Sequence, residues 1–155
     1  MKKITLFLFV LAGVLLTSCS TGKHMTDEMI AQNGTKTYEH SKDQVWDAVK
    51  GVLATEGYEM AYEDKDKGII NTKQKLIRAA AQGNAYNNSA QSVGYYRQYL
   101  VRIEKISEDK TKVILTPKIF QGNNDISENK IWVIEGEKGE VRLWNKFFKQ
   151  VDELI

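Results

Sequence analysis

Cysteine and proline each occur once in this chain and histidine twice, and each scarcity excludes some chemistry. With Cys19 as the only thiol, no intramolecular disulfide forms and no multi-cysteine metal site can be built. His24 and His40 have no second histidine at ligand spacing, so the usual paired-histidine zinc arrangements are absent. The nucleophile elbow G-x-S-x-G, the phosphate-binding P-loop, H-E-x-x-H and the dinucleotide fingerprint are all missing. No catalytic constellation is legible, and no cofactor is expected. Long apolar runs are also scarce. The only one, Ile4 to Leu16, is shorter than the about 20 apolar residues a bilayer span requires.

What is present begins at that run. Lys2 and Lys3 precede it, and Leu16, Thr17, Ser18 and Cys19 follow it. A basic start, a short apolar core and a small-residue exit read as a secretory signal. The exit resembles a bacterial lipobox, in which the cysteine is lipidated and becomes the first mature residue. Each buried CH₂ of an acyl chain contributes about 0.8 kcal/mol to membrane attachment, and one chain alone binds marginally. The resemblance implies three chains, hence permanent attachment. Residue 20 is Ser rather than Asp, which by the enterobacterial sorting rule implies the periplasmic face of the outer membrane. Residues 1–18 are therefore expected to be a lipoprotein signal peptide, and Cys19 the lipid attachment site.

Removal of the signal changes the charge. All 20 acidic residues lie after Cys19, whereas 2 of the 22 basic ones leave with it, so 20 minus 20 gives a mature chain of zero formal charge. Nucleic-acid binding needs a basic face, and none is expected.

Residues 19–34 are polar and aperiodic, and read as a flexible tether, with a short helix at Asp27 to Gln32 as the alternative. A coil of about 15 residues spans about 20 Å. Residues 35–155 have the length of one domain able to bury its own core. Ser41, Lys42, Asp43 and Gln44 form a capping box. Val45, Trp46, Val49, Val52 and Leu53 then make one helical face, and Gly57 supplies the stop. A second helix closes the chain through Trp144, Phe147, Phe148, Val151, Leu154 and Ile155. Between them, Tyr58 to Glu63, Ile69 to Ile77, Tyr95 to Ile106, Thr111 to Phe120 and Ile131 to Ile134 have strand character. Polar turns fall at Asp64 to Gly68, Ser107 to Lys110 and Glu135 to Glu140. Pro117 cannot donate to a ladder, so its strand must end there, bulge or lie at an edge. The expected class is α+β: a two-layer fold with a long N-terminal-side helix and a C-terminal helix on one side of an antiparallel sheet.

The pattern Val45, Trp46, Leu53, Gly57, Tyr58, Asp64 and Gly68 to Thr72 resembles the opening of a BamC-type (NlpB-type) lipoprotein domain. That resemblance covers residues 36–76 best and implies a helix-grip fold, a long helix embraced by an antiparallel sheet. It rests mostly on packing positions, so it speaks to fold before function.

Ala79 to Gly94 lacks apolar periodicity and is long for a connection, so it is expected to be a loop. Tyr86 within it, Tyr95 and Tyr96 at its exit, and Arg78 leading into it are the expected partner-binding residues. The function these features imply is non-enzymatic: a lipid-anchored envelope module that binds another envelope protein. The alternative is a carrier of a small apolar ligand or lipid, with Trp46, Tyr58, Tyr62, Trp132, Trp144 and Phe148 lining a cavity. Nothing in the sequence fixes the oligomeric state.

Overall fold

The structure, a computed structural model, describes residues 25–84, 89–127 and 139–155. Three helices lie among them: α1 (Asp27–Asn33), α2 (Lys42–Thr55) and α3 (Glu140–Asp152). Seven strands form one sheet: β1 (Thr35–Tyr38), β2 (Met60–Asp64), β3 (Ile69–Thr72), β4 (Lys75–Asn84), β5 (Ser89–Ser107), β6 (Lys110–Gln121) and β7 (Asn124–Asp125). Every pairing is antiparallel, in the order β1-β6-β5-β3-β2, with β4 on β5 and β7 on β6. The fold is thus α+β, with helices layered on a mostly antiparallel sheet.

Helix α2 starts where its capping box dictates. Ser41 Oγ accepts from the Gln44 amide and the Gln44 side chain accepts from the Ser41 amide, so two orphan donors are satisfied reciprocally. Gly57, at φ 73°, takes the left-handed position just past the end. Helix α2 buries Val45, Trp46, Val49, Val52 and Leu53, and α3 buries Trp144, Phe147, Phe148 and Val151. Both faces meet Ile70, Tyr99, Val101, Ile103, Val113 and Leu115 of the sheet. The alternation along β5 and β6 follows from this one-sided cover: every second residue is buried, and Arg102 between Val101 and Ile103 is exposed.

Pro117 sits inside β6, opposite Tyr99. The amides of Leu115 and Ile119, two residues to either side, point away from β5 and donate to Gly34 O and Ser127 Oγ. Residue 117 shares that outward side, beyond the four residues of β1, so its missing N–H breaks no ladder bond.

Four sequence expectations are corrected. The described part of Ala79 to Gly94 is strand, not loop: Arg78 to Asn84 pair residue by residue with Tyr95 to Ser89. Residues 89–93 have no second ladder, so this part is a two-stranded ribbon that projects beyond the sheet. A ribbon with neither face in the core carries no period-2 apolar signal. The tether expected to run to Gly34 contains α1, capped by Thr26 Oγ1, which accepts from the Met29 amide at 3.2 Å. Met25 and Ile30 pack on the core, and a Cβ on Gly34 would lie 3.0 Å from the Trp144 ring. Tyr62 is 48% exposed, because the β2–β3 register shifts between Met60 and Tyr62 and breaks the alternation. Glu140, expected at the end of a charged turn, is fully buried at the first position of α3. Cys19, His24, Tyr86, the strand expected at Ile131 to Ile134 and Trp132 lie outside the described residues.

Candidate functional site

The site is an open cleft of about 160 Å³ where α2 and α3 meet the β4 end of the sheet. Its floor is apolar: Leu53 from α2, Leu143 and Phe147 from α3, Tyr58 from the α2–β2 connection, and Tyr99 from β5. Its polar groups are Glu56, Lys75, Arg97, Lys146 and Gln150, and Ile77 closes the β4 side.

A register shift builds that side. Leu76 pairs with Tyr96, but Arg78 pairs with Tyr95, so Ile77 is the extra residue of a β-bulge. Lys75 and Ile77 both face the cleft, and the bulge lets β4 continue its ladder afterwards.

Two polar clusters flank the floor. In one, Arg97 Nη2 donates to Glu140 Oε2 at 2.8 Å and the Tyr99 hydroxyl donates to Glu140 Oε1 at 3.3 Å. Tyr58 meets Tyr99 edge to face, with ring centroids 5.0 Å apart. Burial pushes the Glu140 carboxyl up, against the pull of Arg97 and the tyrosine hydroxyl. Burial and the Glu140 charge push the Tyr99 hydroxyl well above its ordinary value. Burial also raises Tyr58, with the Arg97 cation working against it. Arg97 is lowered by burial, but Glu140 and the two tyrosines more than reverse this. The cluster therefore holds a guanidinium in place with both phenols neutral.

The second cluster surrounds Glu56. Its carboxylate pairs with Lys146 Nζ at 2.9 Å and accepts from Gln150 Nε2 at 2.8 Å. The Lys146 hydrogen bond is the main cause of its lowered pKa; burial opposes it, and Gln150 and Lys75 add to it. Lys75 Nζ donates to the Glu56 carbonyl and lies 4.9 Å from the Tyr58 ring centroid. Arg97 Nε and Gln150 Oε1, beneath the cleft, are buried and meet no hydrogen-bond partner among the described residues. The arrangement offers cations above an apolar floor, which is the chemistry of binding a small polar–apolar molecule.

Of the expected partner-binding residues, Tyr95 and Tyr96 are half-buried neighbours on β5 and so point to opposite faces. Arg78 is exposed on β4 opposite Tyr95. The three do not form one anchor. Of the described aromatics expected to line a cavity, Tyr58 alone lines the cleft; Trp46, Trp144 and Phe148 fill the core between the layers. Sequence reasoning missed Lys75, Arg97, Tyr99 and Glu140 as a group. Only tertiary pairing brings them together, and the sole available signal was alternation, which puts Arg97 and Tyr99 on one face of a strand. Among the described residues no cluster of three His, Cys, Asp or Glu is placed to hold a metal ion.

No protein-family model matches the chain, and no curated protein does. Among solved structures, it is similar to a DUF4468 family protein from Bacteroides ovatus ATCC 8483, at 13% identity and a TM-score of 0.42. That match covers 77% of this chain and 83% of the other. It is also similar to the di-domain ARO/CYC StfQ from the steffimycin biosynthetic pathway, at 11% identity and a TM-score of 0.33. This second match covers 77% of this chain and 42% of the other.

Proposed function

We propose that this chain is a non-enzymatic lipoprotein of the bacterial cell envelope, held at the periplasmic face of the outer membrane by lipid on Cys19. Its single helix-grip-like domain, of the BamC type, binds another envelope protein. The anchor rests on the lipobox pattern that ends at Cys19. The helix-grip reading is supported by the 14-residue α2, whose buried face packs against the long paired strands β5 and β6.

The observation that carries the binding role is β4. Among the described residues it pairs along one edge only, with β5, over ten residues. Leu76 and Ile77 on it are 54% and 41% exposed. An open edge with exposed apolar side chains accepts a partner strand by β-augmentation, in which backbone hydrogen bonds give affinity and side-chain pockets give selectivity. The neighbouring β5 fixes that edge in an extended conformation, so the partner alone is ordered on binding.

Membrane fractionation tests the anchor: Cys19→Ser is expected to leave the membrane fraction and accumulate unlipidated. Crosslinking with a photoreactive residue at position 80, followed by pull-down from detergent-solubilised membranes, tests the edge. The wild-type chain is expected to give one dominant adduct, and Ala79→Pro to lose it at unchanged thermal stability. An adduct that survives Ala79→Pro, or none at all, removes β4 as the docking edge.

A second reading, binding of a small ligand, is favoured by the cleft itself. Its volume of about 160 Å³ lies below the roughly 300–1,000 Å³ of sites for drug-sized molecules. The enclosed part of the cleft suits a group much smaller than a whole membrane lipid.

A further inference from the structure

We propose that the cleft between α2, α3 and β4 is a binding site for a small organic monoanion: a carboxylate on a single ring or a short branched chain. This rests on the small-ligand reading above and narrows it to a chemical class. Three independent properties of the cleft converge on it.

The first is size. The volume of about 160 Å³ is close to that of an engineered apolar cavity of about 150 Å³ that takes benzene. That is room for one ring. The second is the floor. Tyr58 and Tyr99 stand edge to face, with Leu143 and Phe147 beside them. That surface stacks a ring or covers a branched aliphatic group.

The third is the balance of charge. Of the three cations lining the cleft, Lys146 is paired with Glu56, and Arg97 with Glu140. Among the described residues Lys75 has no carboxylate at ion-pair distance: its contacts are the Glu56 carbonyl and the face of Tyr58, and its charge reaches the Glu56 carboxylate only at longer range. With the one lining carboxylate, Glu56, already held by Lys146 and Gln150, the cleft keeps a net positive charge. A ligand carboxylate supplies the negative acceptor that Lys75 lacks.

The test uses the lipidated full-length chain in detergent and follows the 19F signal of 4-fluorobenzoate, with neutral 4-fluorobenzyl alcohol as the matched probe. Saturable binding of the acid is expected, with the alcohol weaker by about tenfold or more, the scale of one charge-assisted hydrogen bond. Lys75→Met is expected to weaken the acid by about tenfold and leave the alcohol unchanged, and Lys75→Arg to recover most of the loss. Leu143→Trp, which fills the cleft, is expected to abolish both signals, so any signal it leaves is partition into detergent. Equal affinity for acid and alcohol, or indifference to Lys75→Met, overturns the anion class while the small-ligand reading stands. No saturable binding of either probe, or binding unchanged by Leu143→Trp, overturns both.

Discussion

At the scale of single residues, Glu140 and Asp64 show how differently two carboxylates are used. Glu140 is fully buried and touches Arg97 and Tyr99. Removing one partner of a buried pair typically costs about 3–5 kcal/mol, because the other charge stays buried and unpaired. Glu140→Gln is expected at the low end, about 3 kcal/mol by urea denaturation, since the raised pKa of Glu140 says that burial outweighs the attraction of Arg97 and Tyr99. Replacing Arg97 and Glu140 together by Leu is expected to cost far less than the single change. Asp64 is half-buried at the end of β2, and its pKa is lowered to about 2 by the Lys67 amide first, then by the Lys67 and Tyr62 side chains. Its folded-state pKa lies below its ordinary value of 3.8, so its contribution to stability is present above about pH 4 and is lost as pH falls through about 2. An NMR titration is expected to place the Asp64 midpoint near 2, and Asp64→Asn to flatten the stability profile in that window. Neither role is visible in the sequence. Glu140 stands in a run of charges beside Gly139, and Asp64 in a charged turn, and the two segments look alike until Arg97 is brought to one of them.

Among the elements, α2 is the most legible. Its cap, apolar face and stop are all local, because helical hydrogen bonds join residues four apart. Ser41→Ala removes the capping hydroxyl and is expected to destabilise the domain by about 1 kcal/mol, read as a shifted urea midpoint at constant slope. The β4–β5 hairpin is the least legible. Its outer part is specified by backbone pairing between small and polar residues, Ala79 to Ala81 against Ser92 to Gly94, and that pairing leaves no apolar pattern. Strand segments without core packing open first. Amides of residues 79–81 and 91–93 are therefore expected to exchange with solvent at least about a hundredfold faster than those of 99–103, which lie between β6 and β3. Protection of the ribbon equal to that of 99–103 would mean that something covers it.

For the whole molecule, Trp144 is the keystone of the packing. Its ring is fully buried, its Nε1 donates to Leu115 O at 3.0 Å, and it lies against Gly34 at the end of α1. Trp144→Ala is expected to cost about 3–5 kcal/mol and to release α1, seen as lost protection at Ile30 and Gly34. What the sequence determined by itself was a set of short-range features: the signal-like start and Cys19, the neutrality of the chain after it, the capped helix α2, the amphipathic last helix and most of the alternating strands. Such features are set by neighbours within a few residues, and the 2.0 and 3.6 periods expose them. The tertiary structure alone decided the docking of α1, the extension of β4 and β5 into a ribbon, and the cleft where Lys75, Arg97 and Tyr99 meet the Glu56–Lys146 pair. Those depend on contacts between residues distant in the chain, which no local pattern encodes.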